Sequence, residues 1–143
     1  MGIEQLYGTW RLVRFGRIAA ATGERSEDFG KHPSGYLTYT RDGRMIAVLV
    51  KEGRKKFADL SKATDAERAE LFNGVVAYAG KFTLDGNRVT HHVDVSWNET
   101  WTGTEQIRNI TLEGRKLFIR SEPRASGYDG KLVTAEIEWE KVE

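Results

Sequence analysis

The lengths of its connections constrain this chain more than any single motif does. Runs of alternating and β-branched residues read as eight strands, at 6–18, 35–40, 44–50, 77–84, 88–97, 104–112, 116–121 and 133–142. Three connections are tight turns carrying the glycine that a short hairpin requires: Asp42-Gly43, Asp85-Gly86-Asn87 and Glu113-Gly114-Arg115. In an up-and-down arrangement those turns all fall at one end. The long connections at 19–34, 51–76, 98–103 and 122–132 then all fall at the other. Closing such a sheet on itself removes the exposed edges that eight strands would otherwise have to protect. The expectation is an all-β fold: an eight-stranded up-and-down antiparallel β-barrel with a floor of short turns and a mouth of long loops.

One short helix interrupts the series between strands three and four. Thr64-Asp65-Ala66-Glu67 has the form of a capping box, and Leu71, Phe72 and Val75 follow as a narrow apolar stripe. The helix is expected to pack against the barrel or to lid one end of it. A chain of 143 residues forms a single domain, 1–143, with room for one core.

The 22 Lys and Arg are scattered among 21 Asp and Glu for a net charge of +1, which does not point to a nucleic-acid or membrane partner. The absence of cysteine removes disulfides, thiolate metal sites and thiol nucleophiles. The apolar run Met45–Val50 is far too short to cross a bilayer, and Met1–Trp10 lacks the apolar centre of a signal peptide. A cytoplasmic location is the expectation, and no residue pattern specifies an oligomeric state.

Gly8-Thr9-Trp10 on the first strand resembles the GxW signature of the lipocalins. The stretches 32–45, 77–82, 91–97 (His-His-Val-Asp-Val-Ser-Trp) and 103–108 (Gly-Thr-Glu-Gln-Ile-Arg) are similar, in order, to recurring blocks of the bacterial lipocalin-like domain family. The resemblance covers nearly the whole chain. It implies a ligand-holding, calycin-type barrel without a settled activity, and it implies that Trp10, Leu12 and Arg14 turn inward.

Neighbouring side chains on a strand point to opposite faces, so the facing of one residue sets the facing of its strand. Pairing strands five and six across the 98–103 loop places Val95 opposite Gln106, Val93 opposite Arg108 and His91 opposite Ile110. Val89, His91, Val93, Val95 and Trp97 then share a mostly apolar side with Gln106, Arg108 and Ile110. The other side carries His92, Asp94, Ser96, Glu105 and Asn109, so the first set faces inward. His91 and His92 therefore belong to different surfaces, and no metal site is expected. The same parity turns Tyr78, Gly80, Phe82 and Leu84 inward on strand four and Val133, Ala135, Ile137 and Trp139 inward on strand eight. Trp10 and Trp139 plug the floor. Strands two and three are apolar on both faces, leaving either Tyr36 or Tyr39 inside.

The inward set contains Arg108 and Arg14 but no Asp or Glu. A buried guanidinium cannot shed its proton, so an anion, water or a mouth-loop acid such as Asp28 or Glu99 has to meet it. The expected ligand site is Arg108, Gln106 and His91, with Trp97, Val93, Val95, Phe82, Tyr36 and Arg14 around it and no cofactor. Three readings stay open. The first is binding of a small, mostly apolar molecule with an acidic or carbonyl oxygen. The second is a cofactor-free isomerase or cyclase in which His91 is the general base and Arg108 stabilises the oxyanion. The third is a packed barrel that serves a protein partner through its surface.

Overall fold

The structure, a computed structural model, describes residues 2–126 and 129–142; positions 127 and 128 of the expected 122–132 connection lie outside them. In chain order the strands are β1 (Gly8–Ala19), β2 (Arg25–Ser26), β3 (Ser34–Tyr39), β4 (Arg44–Val50), β5 (Val75–Asp85), β6 (Arg88–Ser96), β7 (Glu105–Glu113), β8 (Lys116–Ser121), β9 (Arg124–Ala125) and β10 (Leu132–Lys141). The eight long ones pair in sequence, and β10 returns to pair with β1 from Trp10↔Lys141 to Ala19↔Val133. This is the closed up-and-down antiparallel barrel. The two-residue strands β2 and β9 are hairpin flaps on β1 and β10 at the mouth.

Glycines 43, 86 and 114 take positive φ in the three tight turns, as short hairpins demand. The floor is sealed by the N-terminal turn: Leu6 is fully buried and its carbonyl accepts the Trp10 Nε1–H at 2.9 Å. Trp139, opposite Leu12, fills the same level. Leu37, Tyr39, Met45, Ala47 and Leu49 alternate inward along β3 and β4, which resolves the tyrosine ambiguity. Tyr39 is inside, whereas Tyr36 is 56% exposed.

Helix α1 (Asp65–Asn73) starts at the expected box: Glu67 N–H donates to Thr64 Oγ1 at 3.1 Å, and Thr64 N–H donates to Glu67 Oε1 at 2.9 Å. It buries no residue, however, and Phe72 is half exposed, so α1 sits across the mouth and not on the barrel wall. Val75, expected on the helical stripe, is the first residue of β5. Among the described residues no helix is long and apolar enough to cross a membrane.

Two irregularities re-aim side chains. In β1 the register with β10 jumps between Leu12 and Arg14, so that Phe15 and Arg17 join Trp10 and Leu12 on the inner face. Arg14, expected inside, turns outward to Glu27 and Glu136. Between β5 and β6 the register jumps between Ala79↔Val95 and Gly80↔Val93. The extra residue, Asp94, reverses facing, and Val95, expected inside, is 60% exposed.

The second bulge depends on Gly80. A Cβ there would lie 1.8 Å from the His92 carbonyl oxygen, far inside van der Waals contact with backbone that cannot swing away. Gly80→Ala is therefore expected to cost about 3 kcal/mol or more, at the upper end for a point mutation, measured as a lowered urea midpoint. A change under about 0.5 kcal/mol would show that the bulge relaxes freely.

Candidate functional site

The interior polar residues lie on one wall. On β6 and β7 the register is His91↔Gln106 and Val89↔Arg108, with Val93 N–H reaching the Thr104 carbonyl. Arg108 therefore faces Val89, not Val93 as the shorter loop implies, because the strands part at Asp94 and the connection includes a turn of 3-10 helix at Glu99–Trp101. The displacement is an even number of residues. Facing is conserved, and His91, Gln106 and Arg108 all point inward while His92 points out to Thr83 and Glu105.

His91 is held at both ring nitrogens. Tyr39 Oη lies 2.6 Å from Nε2 and Tyr78 Oη 2.7 Å from Nδ1. Burial, reinforced by the nearby Arg108 charge, lowers the imidazole pKa to about 3, so it is neutral and has one donor and one acceptor nitrogen. Tyr39 is 1% exposed, and its hydroxyl has no hydrogen-bond partner but His91 among the described residues. Were Nε2 the protonated nitrogen, the Tyr39 proton would be orphaned in a dry core at about 1–3 kcal/mol. Tyr39 therefore donates to Nε2, and the Nδ1–H donates to Tyr78. Burial also raises the pKa of both phenols, keeping them protonated.

Beside this clamp lie two guanidiniums. Arg108, 5% exposed, donates from Nη1 to the Ile107 carbonyl at 3.0 Å and from Nη2 to Gln106 Oε1 at 3.3 Å. Arg124 donates from Nη1 to the same Gln106 oxygen and lies 4.5 Å over the Trp101 ring. Gln106 Nε2 is in turn satisfied by Thr104 Oγ1 at 2.9 Å, which orients the amide. Among the described residues no carboxylate pairs with either guanidinium. Asp28, one of the two acids that could have folded in, is 2.5 Å from Arg17 instead. Desolvation, followed by the Arg108 charge, lowers the Arg124 pKa to about 10, and desolvation lowers that of Arg108 as well.

The wall borders a cavity of about 180 Å³ that opens between the long loops. Phe15, Phe29, Leu49, Ile119, Val133 and Ile137 supply its apolar surface, and Trp97 and Trp101 stand at its rim in edge contact, centroids 5.0 Å apart. Asn98 caps the turn that carries Trp101 by accepting from Thr100 N–H. Arg17 ties the mouth, with Asp28 from one loop and Asp129, at 3.0 Å, from another.

Residues 7–142 match the model of the lipocalin-like domain family. The chain belongs to that family. No curated protein matches it. Among solved structures the domain is similar to a lipocalin-like protein from Bacteroides uniformis, at 13% identity over 96% of this chain and 98% of that one, with a TM-score of 0.48. It is also similar to an uncharacterized protein from Bacteroides eggerthii, at 11% identity over 96% and 99%, with a TM-score of 0.44.

Within this lipocalin-like domain the expected site residues divide three ways. Arg108, His91 and Trp97 line the cavity. Gln106, Val93 and Phe82 are buried behind it. Val95, Tyr36 and Arg14 face outward for the reasons of bulge and register given above. Arg124 and Arg17 were missed, and Tyr78 was placed inside without a role. A hairpin parity argument could have found Arg124, since it pairs with Val133, an inward residue.

The buried neutral imidazole makes folding pH-dependent. Its pKa lies below the unfolded value of roughly 6.5, so between about 6.5 and about 3 the unfolded chain binds a proton that the folded one refuses. The stability contribution is complete above that window and is lost as pH falls through it. From pH 7 to pH 5 the wild type should lose about 2 kcal/mol through His91, a window in which most carboxylates stay ionised. His91→Gln should remove that loss in paired urea titrations; an unchanged loss would exclude His91 as its source.

Proposed function

We propose that this lipocalin-like domain binds a small, mostly apolar molecule through a carboxylate or other oxyanion held between Arg108 and Arg124. The lipocalin-like barrel supports small-molecule binding in general, and the carrying observation is that both guanidiniums share one neutral amide oxygen and, among the described residues, have no carboxylate. Two like charges at a cavity wall are mutually unfavourable, and an anion between them relieves repulsion and desolvation together. The apolar remainder of the ligand lies against Phe15, Ile119 and Ile137.

We favour binding over the catalytic alternative on the geometry around His91. Both nitrogens of His91 are engaged by tyrosines, and a conjugate acid with a pKa of about 3 makes the imidazole a weak proton acceptor at neutral pH. His91 serves the site by orienting its neighbours.

An arginine retained for a ligand weakens the empty protein. Arg108→Met is expected to raise stability by about 1–2 kcal/mol while weakening carboxylate binding about 30-fold or more. Urea unfolding reads the first effect. Native mass spectrometry of the purified protein, with thermal shifts over a panel of aliphatic and aromatic carboxylates, reads the second. Retention of bound mass and thermal shifts by Arg108→Met would overturn the assignment of the anion to this wall.

A further inference from the structure

The hydrogen bonds around His91 leave one proton over. Tyr39 donates to Nε2, and Nδ1–H donates to Tyr78, so the Tyr78 hydroxyl is already an acceptor and its own hydrogen is unspent. Among the described residues that hydroxyl has no second protein partner. Tyr78 lines the cavity while Tyr39 does not, so the unspent hydrogen belongs to the tyrosine that a ligand can reach. Its ring is braced edge-on by Trp101, centroids 5.3 Å apart, and Trp101 in turn underlies Arg124.

We propose that Tyr78 is the third donor of the anion site, its hydroxyl hydrogen delivered into the cavity by the fixed tautomer of His91, and that the ligand is a monocarboxylate on a body of one six-membered ring. The inference rests on the binding reading above and adds to it a donor and a size. A carboxylate has two oxygens and about four lone-pair directions, enough for Arg108, Arg124 and Tyr78 at once. A neutral amide or ester of the same body would leave at least one guanidinium uncompensated, so the site discriminates by charge. The size follows from the cavity, about 180 Å³, against about 150 Å³ for an apolar protein cavity that accommodates benzene. The aromatic lining of Phe15, Phe29 and Trp97 suits a ring better than a long chain, and the Arg17 ties to Asp28 and Asp129 draw the mouth in.

Hydrogen bonding by Tyr78 to a carboxylate is read by isothermal titration of benzoate, benzamide and decanoate into the wild type, Tyr78→Phe and Arg108→Met. The ¹³Cζ shifts of Tyr39 and Tyr78 are followed in tyrosine-labelled wild type. The proposal expects benzoate to bind, benzamide not to, Tyr78→Phe to weaken benzoate about 10-fold or more, and benzoate to move the Tyr78 ¹³Cζ signal while leaving that of Tyr39 nearly still. Circular dichroism and the unfolding midpoint of Tyr78→Phe identify any global loss of fold, in which case the wild-type shift alone decides. If benzoate binds with Arg108 dependence but the Tyr78 signal does not move, the donor assignment is overturned and the binding reading survives. Decanoate binding in preference to benzoate, again lost in Arg108→Met, overturns the ring-sized body alone. If no carboxylate binds, the binding reading fails and this inference falls with it.

Discussion

The pairing of β1 with β10 is the interaction on which everything inside this domain depends. Without it the sheet would have two long edges, and the inward faces of eight strands would form one side of an open sheet. With it, Leu12 meets Trp139 across the seam, Trp10 is capped by the Leu6 carbonyl, and the floor becomes dry. Dryness gives the polar wall above the floor its properties. In water an imidazole between two phenols would titrate near neutrality and exchange partners; buried, it is neutral, has one tautomer and orients both hydroxyls.

The closed interior holds an excess of donors. Among the described residues Arg108 and Arg124 are balanced by Gln106 Oε1 and the Ile107 carbonyl, and the His91 clamp, whose other donors are met within it, leaves the Tyr78 hydrogen over. Acidic residues are plentiful in the chain, and at the mouth Asp28 and Asp129 are spent on Arg17. That excess is what the proposed anion would satisfy. The stability cost of keeping cations there links the binding chemistry to the thermodynamics of the empty barrel.

Much of the fold was legible because barrel closure follows from loop lengths and turn residues. Gly43, Gly86 and Gly114 mark the floor turns, and Thr64 with Glu67 marks the helix start, through local chemistry alone. Facing was legible on β6 and β7 even though the register was displaced, since an even displacement leaves parity unchanged. It failed where a bulge inserted one residue: Arg14 lost its inward place to a break after Leu12, and Val95 lost its own to a break beside Gly80. Alternation has nothing to say about where an odd residue enters. Tyr36 and Tyr39 were indistinguishable because β3 and β4 carry apolar side chains on both faces, and the outer face leaves Tyr36 and Ile46 to solvent.

Local patterns in the chain suffice for the class of fold, the end at which the cavity opens, the separation of His91 from His92, and the presence of Arg108 without an acid on its own face. These rest on periodicity and turn chemistry, which act between residues close in the chain. It took the folded barrel to bring Arg124 from a distant flap to share Gln106 with Arg108, to send Asp28 to Arg17, and to join Tyr39 and Tyr78 at one imidazole. Those contacts join residues far apart along the chain across the inside of a closed barrel. They exist only once curvature and bulges have set which strands face one another, and local patterns carry no record of that.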